Sequence, residues 1–455
     1  MAKQTASVSQ RRPAVRGIVL TFLSPALALA AALAFSACAP GKPAAPRPAA
    51  ARVKTGLEVF AAKRLDLVRG KRVGLITNPT GADAALRGTV DILANLSEVK
   101  LVALYGPEHG VRGDAQAGEY VPFYEDRKYH LPVFSLYGQS MKPEPGMLKN
   151  IDEYMRSYDT KSAGKAPERA MVQDIDAMIY DIQDVGTRVY TYIATMAFAM
   201  QACAEAGIDF IVLDRPNPIG GADMEGPVLE YPGSSSYIGL YPIPARFGMT
   251  MGELALLFND RFLERKAKLT VVPMEGWKRT MWFDQTGLPW IIPSPNMPTL
   301  DTATVYPGQV MLEGTNVSEG RGTTKPFELF GAPWIDGAAL AAKLNALGLP
   351  GVLFREAWFT PAFSKFQGKL CGGCQLHVTD RSVYRPFAAG LHIVKTIRDM
   401  YPAEFEFHRD YFDKVMGTPR VREAIESGTG IQAIVEGLEP GLAAFAGLRK
   451  PYLLY

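Results

Sequence analysis

DAMIYDIQDVGTR, residues 176–188, decides how this chain folds. Apolar residues run without alternation through AMIYDI, and the run ends in acid, glycine and arginine. A strand that is apolar on both faces belongs in a parallel sheet with helices covering both sides. The next segment agrees with this. TYIATMAFAMQACAEAG, 191–207, is rich in helix formers and closes on Gly207, a residue suited to a helix C′ position. DFIVLD, 209–214, then reads as another strand, and RPNPIGG follows it.

Working backwards, the same grammar recurs. RVGLIT (72–77) runs into NPTG, LVALYG (101–106) runs into PEHG, and LPVFSLYG (131–138) follows. Short apolar strands separated by helical stretches indicate βαβ units, so residues 55–263 are expected to form an α/β domain on a parallel sheet. In such sheets ligands bind beyond the carboxyl ends of the strands. Polar residues stand at those ends: Asn78, Glu108, His109, Asp181, Asp184, Arg188, Asp214, Arg215 and Asn217. Several loops are thus expected to aim chemistry at one rim.

Past residue 264 the texture changes. KLTVVPM, WIIPSPNMPTL and MLEGTNVSEGRGTT are interrupted by proline and glycine. VLFREAWFTPAF and CQLHVTD read as strands of a second sheet, and RPFAAGLHIVKTIRDMYP and RVREAIESG as helices. Residues 264–455 are therefore expected to form a smaller α+β domain.

The beginning differs from all of this. Lys3, Arg11, Arg12 and Arg16 precede an apolar run from Gly17 to Phe35, then SAC and the Pro/Ala-rich APGKPAAPRPAAA. A basic start, an apolar stretch and small residues make a secretory signal over residues 1–37. An uncleaved anchor has a similar length, but Pro25 and the small residues favour cleavage. FSAC resembles a bacterial lipobox, with Phe35 in place of the usual leucine, and makes Cys38 the expected lipidation site. Plain cleavage is the alternative. Residues 38–54 then form a lipid-anchored or flexible linker, and the protein is expected in the cell envelope.

The chain has 455 residues, 47% of them hydrophobic and 21% charged, which suits a folded globular protein. Its net charge of +3 belongs to the leader, because removing residues 1–37 leaves 45 basic against 46 acidic residues. No basic footprint for nucleic acid remains. Neither GxGxxG nor GxxxxGK[ST] occurs, so the α/β sheet carries no dinucleotide fingerprint or phosphate loop. Neither HExxH nor GxSxG occurs, and the five histidines have no metal-ligand spacing. The CGGC pair, Cys371 and Cys374, reads as a structural disulfide or as two buried thiols. No cofactor is expected, and carboxylates on loops remain.

Glu108 follows Pro107, whose fixed φ stiffens the turn. A glutamate held at an apolar strand end suits a general acid, and a solvated loop residue is the plain alternative. Asp184 reads either as a catalytic acid or as a helix N-cap. Asp181 reads as an orienting group. Arg188, Tyr190 and Tyr192 supply a fork donor and ring faces for an acidic sugar, or an internal ion pair and helix packing. Asp214, Arg215 and Asn217 lie on a proline-stiffened loop and suit sugar hydroxyls, unless Asp214 and Arg215 pair with each other. The Gly-rich segment EGTNVSEGRGT, 313–323, holds Asn316, Glu319 and Arg321 and would reach the cleft from the second domain.

Taken together, GLITNPTG, LYGPEHGVRGDAQAGE, YDIQDVGTRVYTYI, VLDRPNPIGG, EGPVLE, YPIPARFGMTMGELA, the long run from PSPNMPTL to APWID, and the terminal PYLLY resemble the NamZ-type exo-β-N-acetylmuramidases, glycoside hydrolase family 171. The resemblance covers the chain from about Gly56 to Tyr455. It implies a Rossmann-like catalytic domain with no nucleotide, a smaller C-terminal domain and an active site between them. It also implies release of N-acetylmuramic acid (MurNAc) from the non-reducing ends of peptidoglycan fragments containing MurNAc and N-acetylglucosamine (GlcNAc). It makes Glu108 the general acid/base, with Asp184 and then Glu319 as candidates for the second carboxylate. His109 would orient Glu108 or touch substrate. Arg188 or Arg321 would bind the lactyl carboxylate. A non-catalytic lipoprotein that binds cell-wall fragments needs the same cleft, and a nucleotide-using enzyme would need the phosphate loops that are missing.

Overall fold

The computed structural model describes residues 52–138, 141–149 and 174–455. The expected signal at 1–37, Cys38 and the linker up to residue 51 lie outside the described residues. The folded body already includes Val53, which is buried and donates its N–H to the Thr286 carbonyl at 3.0 Å. Among the described residues no helix is long and apolar enough to cross a membrane.

The first elements are α1 (Gly56–Lys63), β1 (Arg72–Thr77), α2 (Thr89–Ala94), β2 (Lys100–Gly106), β3 (Tyr124–Glu125), β4 (Pro132–Ser135), α3 (Pro145–Leu148) and β5 (Ala177–Asp181). They continue as α4 (Tyr192–Ala206), β6 (Asp209–Leu213), β7 (Glu225–Val228), β8 (Pro244–Arg246), α5 (Met251–Arg261), β9 (Lys268–Val272) and α6 (Leu300–Gln309). Local chemistry sets the helix ends. Thr55 with Glu58 and Thr250 with Glu253 form capping boxes at α1 and α5. Gly207 ends α4 at φ 70°, in the left-handed region.

The large sheet runs β3-β4-β2-β1-β5-β6-β9, all parallel except the β3–β4 pair. Counting only its parallel strands, the order is 3-2-1-4-5-6, the dinucleotide-fold order, which reverses between β1 and β5. One apolar cluster packs the face that includes Leu75, Leu104, Ile179 and Ile211, under Leu57 and Phe60 of α1. The other face joins Tyr180 and Val212 to Met196 and Met200 of α4 and Leu254 of α5. Strands buried on both sides explain the unbroken apolar runs. β9 lies past the division expected at 263/264, yet it pairs with β6 as the sheet's last strand.

The remaining elements are β10 (Leu329–Ala332), α7 (Gly337–Asn345), β11 (Val352–Phe359), β12 (Cys371–Val378), α8 (Pro386–Met400), α9 (Arg409–Met416), α10 (Arg420–Glu426) and α11 (Ile431–Arg449). The small sheet β10-β12-β11 is antiparallel. Cys371 and Cys374 on β12 are buried free thiols, pushed up by burial to about 11 and about 12 respectively. The second apolar cluster continues through Met311, Phe330, Leu391 and Phe412, so both halves share one core.

Candidate active site

Strand β2 ends at Gly106, where a Cβ would lie 3.0 Å from the Val111 amide, a tight contact that favours glycine where the chain folds back. The Gly110 amide closes the turn onto the Pro107 carbonyl at 2.9 Å. His109 sits at φ 71°, a left-handed conformation that costs a non-glycine residue energy and is concentrated at functional sites. Its Nδ1 bonds the Ala115 carbonyl at 2.8 Å. That acceptor requires the proton on Nδ1, which leaves Nε2 as the other hydrogen-bonding atom.

The turn carries Glu108 inward, to 8% exposure. The Gly118 amide donates to its Oε1 at 3.0 Å and the Thr191 hydroxyl to its Oε2 at 2.7 Å. Tyr137 also bonds Glu108. Burial first, and then the glutamate's charge, push that phenol up to about 12. Thr191 occupies the N-cap position of α4 but makes no capping bond, because its hydroxyl goes to Glu108. The positive end of a 15-residue helix therefore lies beside the carboxylate.

Glu108 and His109 open onto a cavity of about 380 Å³. Tyr137, Tyr190, Tyr192, Tyr237 and Ser294 line it from the first half of the chain. Tyr306, Glu313, Arg321 and Tyr411 line it from the second. Tyr190 stands edge-on to Tyr192 and Tyr306, at 4.9 and 6.0 Å between ring centroids. The aromatic walls offer flat faces, and two carboxylates and a guanidinium offer hydrogen bonds and charge.

Of the residues expected at the site, the structure brings Glu108, His109, Tyr190, Tyr192 and Arg321 to this cavity. The others lie in the frame around it, all buried except the half-buried Asn316. Asp181 forms a two-point ion pair with Arg215, at 2.5 and 2.9 Å, and accepts from the Thr89 hydroxyl. Arg215 also donates to the Ala82 carbonyl at 3.0 Å. This pair sits at the strand-order reversal, where a dinucleotide fold opens its crevice. Here Leu288, Pro289 and Ile291 pack over the place and leave a cavity of about 20 Å³. Asp214 accepts from the Gly252 amide, the Thr250 hydroxyl and the hydroxyl of the terminal Tyr455. Asn217 is tied to Met249 and Ile219.

Asp184 lies in a turn and not on the cavity wall. Its Oδ1 accepts from the Gly186 amide at 2.7 Å, and its Oδ2 is buried without a partner among the described residues. Burial pushes this carboxyl up to about 7. Since α4 begins at Tyr192, Asp184 does not cap it. Arg188 aims its fork at backbone, donating to the Pro227, Ile243 and Val415 carbonyls at 2.7, 2.9 and 3.0 Å. It is 2% exposed and has no carboxylate partner among the described residues. Asn316 pairs with the backbone of Glu404 and Glu406. Glu319 stands behind the wall, 3.0 Å from the Lys365 ammonium and 3.4 Å from Arg321.

Several lining residues lie outside the set that the sequence marks. Tyr137 closes the strand-like LPVFSLYG and Thr191 precedes an apolar helix, so position could have marked both. Glu313 opens EGTNVSEGRGT but follows the apolar VML and reads as a helix end. Tyr411 gives no local signal at all.

Sheet and cavity together define a class: a Rossmann-like α/β protein with a tyrosine-walled, carboxylate-bearing pocket suited to a sugar ring. The comparisons are narrower. The chain matches the N-terminal model of exo-β-N-acetylmuramidase NamZ over residues 73–157 and 153–301, and the C-terminal model over 304–455. It is 52% identical over 405 residues to the peptidoglycan β-N-acetylmuramidase NamZ of Bacillus subtilis, across 89% of this chain and 92% of that protein. A DUF1343 family protein of Bacteroides fragilis has a crystal structure with TM-score 0.78 and 40% identity, covering 89% of this chain and 99% of that one. A second from the same organism gives 0.68 and 31% over the same shares. The chain belongs to the NamZ exo-β-N-acetylmuramidase family.

Proposed function

We propose that this chain is a glycoside hydrolase acting on peptidoglycan, an exo-β-N-acetylmuramidase that releases N-acetylmuramic acid. Membership of the family and the identity to the Bacillus subtilis relative support the activity. The observation that carries the chemistry is Glu108, cornered by the Gly118 amide, Thr191 and Tyr137 beside a tyrosine-walled cavity.

Glycoside hydrolysis needs a proton delivered to the leaving oxygen and later taken from water. Glu108 fills both roles in this reading, as general acid and then general base. Its neighbours fix its rotamer and leave it facing the cavity. The substrate is the non-reducing end of a MurNAc-GlcNAc fragment. A muramic acid ring differs from glucosamine by a lactyl carboxylate, and Arg321 is its partner. Glu313 and Glu319 engage Nε and Nη2 of that guanidinium, and Nη1 has no partner among the described residues. The signal and Cys38 would tether the enzyme in the cell envelope. Labelled lipid should enter the full chain and not the Cys38→Ala variant, and label in both would rule out this anchor.

Purified residues 39–455 should release para-nitrophenol from the MurNAc glycoside and not from the GlcNAc glycoside. Glu108→Gln should lower kcat on the order of 10²–10⁴-fold with an unchanged melting temperature, the range of general acid–base contributions. Near-wild-type turnover by that variant would remove Glu108 from its role. Arg321→Lys keeps the charge but loses the fork. It should raise KM for the MurNAc substrate on the order of tenfold or more, and an unaltered KM would remove Arg321 from carboxylate recognition.

A further inference from the structure

The glycosidase reading leaves one carboxylate of the cavity without a task. Glu313 lies in the short turn Val310–Gly314 that follows α6. Arg321 donates to its Oε1 at 2.6 and 3.2 Å, and the Tyr411 hydroxyl of α9 donates to its Oε2 at 3.1 Å. The Lys365 ammonium pins the backbone of the same turn through the Leu312 and Glu313 carbonyls, at 2.7 and 3.3 Å. It also holds Glu319, whose other oxygen faces Arg321. Two separate segments thus hold the side chain and a third holds its backbone, and this side chain is 15% exposed and lines the cavity with Glu108. Tyr306 lines the same cavity, so a carboxylate from each half of the chain shares one pocket with this ring. Preorganisation of this kind is what a reacting group requires.

We propose that Glu313 is the second catalytic carboxylate and that it acts on the acetamido group of the bound sugar, not on the anomeric carbon. The proposal rests on the muramidase reading. Arg321 and Tyr411 hold the two oxygens of Glu313 in place, and each carboxylate oxygen has a further lone pair that can accept from an amide N–H. In the first step Glu108 gives its proton to the glycosidic oxygen as the C1–O bond breaks and its electron pair goes to that oxygen. The acetamide carbonyl oxygen bonds to C1, and the N–H proton passes to Glu313, leaving a neutral oxazoline. In the second step Glu108 takes a proton from water as the water oxygen bonds to C1. The C1–O bond of the oxazoline breaks, its pair returns to the acetamide, and Glu313 returns the proton to nitrogen. The sum is hydrolysis with retention at C1.

Wild-type enzyme and Glu313→Gln would be assayed on para-nitrophenyl MurNAc glycosides bearing acetyl, monofluoroacetyl, difluoroacetyl or trifluoroacetyl groups, with the product anomer read by NMR. Fluorine withdraws density from the carbonyl oxygen, so wild-type kcat/KM should fall at each substitution, and the first product should be the β anomer. Glu313→Gln should lose on the order of 10²–10⁴-fold in kcat at an unchanged melting temperature. A flat fluorine series, an α product, or azide rescue of Glu313→Ala with formation of a glycosyl azide would each overturn the assignment. Absence of wild-type turnover on the parent MurNAc glycoside would instead sink the muramidase reading, and this proposal with it.

Discussion

Asp184 shows how a side chain can carry a strongly perturbed pKa and still lie outside the cavity. It is buried, one oxygen accepts from Gly186 and the other has no partner among the described residues. Gly186 is required beside it, since it sits at φ 80° and a Cβ there would lie 2.4 Å from the Asn217 Oδ1. Burial raises the folded-state pKa from 3.8 to about 7. A group raised on folding favours the fold most below its unfolded pKa and loses that advantage as pH rises through its folded pKa. Asp184→Asn keeps the shape and the bond from Gly186 and is neutral throughout. It should stabilise the protein at pH 8 by about 4 kcal/mol, because each pH unit separating the folded and unfolded pKa is worth about 1.36 kcal/mol. The gain should shrink towards zero near pH 4. Chemical denaturation across that range tests it. A pH-independent gain, or none at pH 8, would show that the buried charge is not what the fold tolerates there.

At the level of elements, the parallel strands are legible because each is an apolar run stopped by glycine, proline or acid. The run that marks β1 has that strand's own bounds, those of β2 and β6 agree within a residue, and Gly207 stops α4 where its conformation allows. β9 is legible as a strand but not as a member of this sheet, since pairing with β6 is long-range and no local pattern encodes it. The site is legible only in part for the same reason. Strand-end polar residues serve the cavity and the frame alike, and Asp181, Asp214 and Arg215 differ from Glu108 only in what tertiary contacts surround them. Asp214 illustrates the frame. It closes β6 onto the start of α5 and onto the chain terminus, where Tyr455 gives its hydroxyl at 2.8 Å while accepting the Met274 amide at 2.8 Å. Tyr455→Phe keeps the ring against Trp277 and removes only these bonds. It should cost about 1–3 kcal/mol, the usual loss for a buried group left unpaired. A change below about 0.5 kcal/mol in urea unfolding would mean that the terminus does not lock these elements.

Across the whole molecule, the cavity exists only where the two halves meet, so its geometry depends on what holds them in register. Glu108, Tyr190 and Tyr192 come from one half, and Glu313, Arg321 and Tyr411 from the other. Arg188 is the most central of the ties. Its guanidinium links carbonyls of the β7–β8 region to Val415 of α9, the helix that also carries Tyr411. Arg449 and Glu225 add further ties, to the Gly221 and Gly248 carbonyls and to the Phe387 amide. Burial pulls the Arg188 pKa down, and its guanidinium donates to three carbonyls in that buried place. Lysine at this position keeps a charge but cannot reach three acceptors set for a planar fork. Each carbonyl left unpaired costs about 1–3 kcal/mol, so Arg188→Lys should lower the melting temperature by several degrees. Because α9 would shift relative to β5 and its loop, kcat/KM on the MurNAc glycoside should also fall, by about tenfold, well below the melting transition. Calorimetry and kinetics on the same preparation decide it. A less stable enzyme with undiminished kcat/KM would show that Arg188 braces the fold alone and that the cavity is held in register by the other ties.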